Sequence, residues 1–301
     1  MLNEHVKYDR HKEEFDACIN DPERRKVALT WLQQSNTLDC WRHNRMYSLM
    51  KPIIEWNRNA SWLTIGDGRF GTDANALIKN GANNVHCSDM SDTLLKVGNE
   101  EGFINSYSAE NAEALNFSDN SFDFVYCKEA FHHFPRPYIA LNEMFRVARS
   151  AVILMEPRDG NIEQAFLYPL LNILRKILGR RSSKHDFESV GNYIYALSEH
   201  EMEKFLLGMH FRYIAFKGIN DSYKAGIEFI ELEATNLKEK KIIRSIKNKI
   251  HFLDILEKLG FRKSSLLSVI LFKQKPIDAQ ADSLISCGWN VKELPKNPYL
   301  K

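Results

Sequence analysis

Cysteine is scarce in this chain of 301 residues: Cys18, Cys40, Cys87, Cys127 and Cys287 are odd in number and widely spread. No two stand in a C-x-x-C pair, which argues against a disulfide framework and against a thiolate zinc site, and for a reducing compartment. Long apolar runs are missing as well. Nothing approaches the roughly 20 residues of a membrane span, and residues 1–10 carry charges where a signal peptide needs an apolar core. An excess of one charge is also lacking. With 27% charged residues the formal net charge is only +2, so there is no global nucleic-acid signature. Internal repeats and low-complexity tracts are absent. These absences point to a cytoplasmic protein without a structural metal.

What is present suffices for one large domain, since 44% of the residues are hydrophobic. Residues 1–60 read as a helical cap with pieces at 4–18, 22–34 and 40–57, the last dense in Trp, Tyr, Arg and His. From Trp62 the pattern alternates strand and helix. Strands are expected at 62–65, 85–89, 103–107, 122–127 and 151–155, with helices from Ala74 and from Pro137. Alternation of this length predicts an α/β fold with a doubly wound, Rossmann-like, mostly parallel sheet. Late strands are expected at 211–217 and 265–273, and Ser198 with Glu201 has the spacing of a helix capping box. Helical insertions fall at 159–192, kinked at Pro169, and at 225–259. The domain thus spans 61–275, and 276–301 reads as a tail of short helix and irregular chain.

The stretch Trp62-Leu63-Thr64-Ile65-Gly66-Asp67-Gly68-Arg69-Phe70-Gly71-Thr72-Asp73-Ala74 is a strand, a glycine turn and a helix start. Such a turn brings backbone N–H groups against a bound nucleotide. Asp89 ends the next strand 18 residues after Gly71, placed to accept from ribose hydroxyls. By spacing alone the pattern serves any adenosine cofactor, and Gly66-x-Gly68-x-x-Gly71 also satisfies a dinucleotide fingerprint, so an NAD-dependent oxidoreductase stands as an alternative.

Further along, Glu110-Asn111-Ala112-Glu113-Ala114-Leu115, then Asp119, Phe122 and Asp123, then His132-His133, resembles the class I S-adenosylmethionine-dependent methyltransferases. Many of these carry acid-Ala-Glu-x-Leu-Pro-Phe-x-Asp-x-x-Phe-Asp and a His-His step after the fourth strand. The resemblance spans about 60–157. It implies S-adenosyl-L-methionine as cofactor, with Gly66, Asp67, Gly68 and Gly71 around its methionine and ribose. Asp89 then matches the ribose acid, Met90 the residue stacked on adenine, and Asn111 and Ala112 the readers of the adenine edge. Lys128 would reach the cofactor through its carbonyl, its side chain as well solvated as not. Three positions depart from the pattern: Thr64 stands where an acid is usual, Phe70 lengthens the glycine spacing by one, and Asn111 replaces Asp. These departures and the large helical additions leave a cofactor-binding scaffold as the non-enzymatic alternative.

For the chemistry, O- or N-methylation by in-line displacement, an amine acceptor needs no strong base, whereas a hydroxyl does. His132 and His133 follow the fourth strand at the edge where such sheets bind ligands. Being adjacent, they are expected to point apart, so that at most one acts. Glu156, at the end of the fifth strand, would orient a histidine or a substrate, or cap the next helix. Arg45, or Arg42, would meet an acceptor carboxylate, and Tyr193 and Tyr195 would belong to a lid. The acceptor is expected to be a small molecule or glycan. The lysines from Lys238 to Lys249 suggest a phosphate-bearing one, or a solvated face.

Overall fold

The structure, a computed structural model, describes residues 12–13, 16–17, 21–33, 36–160, 163, 187 and 193–299. Most of the expected helix at 4–18 and of the insertion at 159–192, with its Pro169 kink, lies outside the described residues.

One eight-stranded sheet organises the chain. Its strands are β1 (Ser61–Ile65), β2 (Asn84–Asp89), β3 (Tyr107–Ala109), β4 (Phe122–Lys128), β5 (Ala148–Pro157), β6 (Tyr213–Ile219), β7 (Leu266–Phe272) and β8 (Asn290–Glu293), in the order β3-β2-β1-β4-β5-β7-β6-β8. Strands β1 to β5 pair in parallel, β7 runs antiparallel between β5 and β6, and β8 runs antiparallel to β6. The residues of β7, Leu-Leu-Ser-Val-Ile-Leu-Phe, are all buried. Such a run suits a strand covered on both faces, and its one hydroxyl, on Ser268, is satisfied by the Leu154 carbonyl at 3.3 Å.

Side chains alternate across the sheet. Trp62 joins the core under α3 (Lys51–Trp56), α4 (Thr72–Lys79) and α9 (Asp278–Ser286), through Ile53, Leu77 and Leu284. Leu63 and Ile65 join the opposite core under α6 (Pro137–Val147) and α7 (Glu199–Gly208), through Leu141, Met144 and Leu206. A further helix, α5 (Thr93–Glu100), covers β2 and β3. Successive strands step one way from β1 to β3 and the other way from β4 to β5, so a crevice opens at the carboxyl ends of β1 and β4.

Several boundaries differ from the sequence reading. The third strand starts at Tyr107, because side-chain amides tie up residues before it: Asn75 Nδ2 donates to the Phe103 carbonyl (2.5 Å) and Asn99 Nδ2 to that of Ile104 (2.9 Å). The expected 40–57 helix is three pieces: α2 (Leu38–Tyr47), a 3-10 turn (Ser48–Met50) and α3, which has Pro52 in its first turn, where a missing N–H costs nothing. The chain after 276 is no loose tail, since α9 packs on the core and β8 closes the sheet edge.

The cap is assembled from distant segments. Leu38, capped by Thr37 Oγ1 accepting from Cys40 N at 3.1 Å, packs with Ile227, Ile230, Ile243, Ile246 and Ile250 in a third core. The last three lie on α8 (Leu237–Lys258). Leu38 N donates to Ile230 O (2.8 Å) and Leu232 N to Asn36 O (2.9 Å). The helical run expected over 225–259 therefore starts only at Leu237, its first part being spent on the 3-10 turn Ile227–Phe229 and on this pairing. A further helix of the cap, α1 (Pro22–Gln33), approaches the same turn.

Candidate active site

The turn after β1 is closely packed by the protein around it: a Cβ on Gly66 would run into Ala130, and one on Gly71 would stand 2.6 Å from Ile104 Cγ2. Gly66 and Gly71 have φ of +74° and +73°, which glycine adopts without strain. A Cβ on Gly68 would stand 2.8 Å from Asp89 Cγ, so its absence lets the Asp89 carboxyl close on the turn. There Asp89 accepts from Ser91 N at 3.0 Å and from the amides of Gly68 and Met90, while burial pushes its pKa up to about 6. Phe70, the extra residue, is buried with φ +61° and turns into the protein. Asn111 Oδ1 accepts from Glu113 N at 2.9 Å in a tight turn that presents Ala112 and Glu113, and Glu113 holds Arg136 by N (2.9 Å) and Nε (2.5 Å).

Asp67 borders the cavity, but its carboxylate points inward. Oδ1 accepts from Asp73 N (2.9 Å) and Oδ2 from Ala74 N (2.8 Å), so it caps α4. Thr64, the departure from the usual acid, supplies a third donor, its Oγ1 lying 2.9 Å from Asp67 Oδ2. Burial and the neighbouring Asp73 push Asp67 up to about 8 against these donors.

The 3-10 turn Phe131–His133 follows β4. Glu156, fully buried, accepts from Ala130 N (3.0 Å) and Phe131 N (2.9 Å) on Oε1, and its Oε2 lies 2.5 Å from His132 Nδ1. It orients a histidine and is not among the residues facing the cavity. The two imidazoles do not point apart: their ring centroids are 3.9 Å from each other, and both border the cavity.

These groups share one cavity of about 1140 Å³ with a wall from the cap, at the upper end for ligand sites and roomy enough for a cofactor beside an acceptor. The cap contributes Trp31, Arg42 and His43, and residues 221–228 contribute Asp221, Tyr223 and Glu228. Arg42, buried, bonds Asp39 at 2.5 Å and Asp221 through Nε at 2.8 Å, so it meets protein carboxylates. The Lys128 side chain is not solvated. It is buried, 2.8 Å from Glu129 Oε2 and 3.7 Å from Asp73. Burial alone would lower its pKa, but those acids hold it above the ordinary value, and Lys128 in turn pulls the half-buried Glu129 down to about 2. Burial drives His43 well below the usual histidine range, so it is neutral.

Arg45, Tyr193 and Tyr195 do not border the cavity. Arg45 Nη1 donates to the Asn220 carbonyl at 2.9 Å, while Tyr195 N donates to the His132 carbonyl at 3.3 Å and Tyr193 stacks edge-on to Tyr195. No grouping of three or more metal-ligating side chains occurs among the described residues, and no helix among them is long and apolar enough to cross a membrane.

The sequence profile of the family described as methyltransferase domain matches residues 63–155. No curated protein matches the chain. Solved structures similar to it include the YcgJ protein of Bacillus subtilis, 20% identical over 78% of this chain and 99% of that one, with a TM-score of 0.47. An S-adenosylmethionine-dependent methyltransferase of Thermotoga maritima is 15% identical over 86% and 98%, TM-score 0.45. The magnesium protoporphyrin IX methyltransferase of Synechocystis, solved with bound S-adenosylhomocysteine, is 14% identical over 77% and 84%, TM-score 0.44. The dinucleotide-binding sheet has the order 3-2-1-4-5-6, which the reversed β7 breaks here. The match runs from β1 to β5, the strands whose ends carry the glycine turn and the histidine pair, and it makes residues 63–155 a methyltransferase domain.

Proposed function

We propose that the enzyme methylates a hydroxyl of a small-molecule acceptor, with His132 as the general base. The observation that carries this reading is the 2.5 Å contact of His132 Nδ1 with Glu156 Oε2. A carboxylate on Nδ1 fixes the tautomer that leaves the lone pair on Nε2, and it stabilises the imidazolium that forms when the acceptor proton arrives. Glu156 is itself held by two backbone amides, so the pair needs no rearrangement during the reaction. An amine acceptor would leave this arrangement without a task.

Bound S-adenosylmethionine would supply a methyl group activated by its sulfonium. Asp89 would accept from the ribose hydroxyls, Gly66 and Gly68 would let backbone lie against the methionine and ribose, and Met90, Asn111 and Ala112 would bound the adenine; Gly71 does not border the cavity and would serve by turning the chain into α4. The Lys128 carbonyl would face the methionine end. Asp67 would act indirectly by fixing the turn against α4. The cap would exclude water and align the acceptor, and alignment alone is worth up to ~7–11 kcal/mol in model systems. None of the lysines from Lys238 to Lys249 borders the cavity, so that basic run does not itself argue for a phosphate-bearing acceptor. The unpaired thiols of Cys87, Cys127 and Cys287 support a cytoplasmic location.

The test is product analysis by mass spectrometry with S-adenosylmethionine and a panel of sugars, phenols and aliphatic amines. We expect methyl ethers, and a loss of about 10²–10⁴ in turnover for His132→Ala with S-adenosylhomocysteine binding intact. Products on amines alone, or unimpaired turnover in that variant, would refute the assignment.

A further inference from the structure

We propose that α8 docks this enzyme on an anionic lipid bilayer. One face of the helix is spent on the cap core, through Ile243, Ile246 and Ile250. The opposite stripe, Lys241, Arg244, Asn248, Phe252, Ile255 and Leu259, follows the three- and four-residue steps of a single helix face. Its first half is cationic and its second half apolar. Phe252 is 58% exposed, Ile255 42% and Leu259 61%, and Phe261 just beyond the helix is 42% exposed. Lys238 and Lys249 flank the cationic half, and Lys258 and Lys263 the apolar one; all four are exposed.

Of the three acids of α8, Glu239 lies in the first turn off this stripe, and the other two are turned elsewhere. Asp254 and Glu257 accept from Asn220 Nδ2 at 3.0 and 2.8 Å, so they serve the contact with residues 220–221. The outer stripe contains no acid at all. A helix in an interface needs this segregation: aromatic and aliphatic side chains to enter the headgroup boundary, and lysine and arginine to meet anionic headgroups. A second copy of the chain on this face would oppose like charges, and a nucleic acid would gain nothing from Phe252, Ile255 and Leu259. The helix also rests on α2 and on the turn Ile227–Phe229, next to Arg42, Tyr223 and Glu228 of the cavity wall.

Flotation of the full chain with vesicles tests this. With three parts phosphatidylcholine to one part phosphatidylglycerol the protein should float, and with phosphatidylcholine alone at the same salt it should not. The triple variant Lys241→Glu, Arg244→Glu, Lys249→Glu should partition about a hundredfold more weakly. The variant Phe252→Ser, Ile255→Ser, Leu259→Ser should stay in the bottom fraction. S-adenosylhomocysteine titration should be unchanged in both, which confirms that they fold. The proposal is overturned if the wild type does not float with the anionic vesicles, or if both variants float as it does. It also fails if sedimentation shows a dimer abolished by the apolar triple, or if the chain retains polyuridylate in preference to vesicles.

Discussion

The wall of the cavity proposed for the cofactor, from Gly66 through Asp89 to Glu113, comes from one unbroken stretch of chain, whereas the wall opposite joins Asp39 and Arg42 to Asp221, 179 residues from Arg42. The first wall acts largely through backbone: a glycine turn, amides and a carboxyl that closes on them. The second is side chain on side chain, a buried guanidinium between two acids above a small core of leucine and isoleucine. Backbone geometry survives many sequences and can serve a common cofactor. A wall of paired side chains fits fewer ligands, and under the proposed function it is the one that would select the acceptor.

The cap wall should be the more fragile. Arg42→Met would leave Asp39 and Asp221 buried beside a thioether, and breaking a buried pair from one side typically costs about 3–5 kcal/mol. In urea, the cap should then unfold in a separate early step, followed by near-ultraviolet circular dichroism of its tryptophans. A single unchanged transition would mean that both walls share one cooperative unit. On the cofactor wall, Gly68→Ala places its Cβ 2.8 Å from Asp89 Cγ. The carboxyl must back away, and S-adenosylhomocysteine affinity should fall about ten- to a hundredfold, the worth of one hydrogen bond to a charged group. A smaller loss would show that this wall yields more than its backbone geometry implies.

That asymmetry also governed what could be read from the sequence. The glycine turn, Asp89 and the His132-His133 step are local patterns, and each stands at the strand end where its position in the chain put it. The sheet was legible for the same reason, because strand and helix periods are local. The cap was not. Nothing near Asp221, Tyr223 or Glu228 marks them as neighbours of Arg42, since their meeting depends on Leu38 sharing a core with α8. Arg45 and Arg42 sit in the same aromatic-rich run and look alike in sequence, but the helix turns Arg45 toward Asn220 and gives Arg42 the inward position. Glu156 could be placed at a strand end, yet its choice of His132 over solvent required the buried turn.

A smaller effect separates the walls by pH. Burial raises the Asp89 pKa to about 6, and only the ionised form accepts at both oxygens. Affinity for S-adenosylhomocysteine should therefore fall as pH drops through about 6, approaching tenfold per unit below it. The stability contribution of this group has the opposite sign. Its folded pKa lies above the unfolded 3.8, so the free protein gains stability on acidification between these values and loses it as pH rises through about 6. Asp89→Asn should flatten both slopes. Calorimetry at pH 5 and pH 7 measures the first, and urea midpoints at the same pH values the second.

Thr64 offers the finest comparison, because it replaces an expected acid without disturbing the turn. Its hydroxyl donates to Asp67 Oδ2 at 2.9 Å, on a carboxylate that already receives the amides of Asp73 and Ala74. Thr64→Val keeps the shape and removes the donor, so the cost should be about 1 kcal/mol in urea, with little change in cofactor affinity. A second acid at this position would stand against Asp67, which burial and Asp73 already push up to about 8; a hydroxyl adds no charge there and donates to the carboxyl instead. Should Thr64→Val prove neutral in stability, the two backbone amides alone hold Asp67, and the cradle is set by main chain more completely than its side chains suggest.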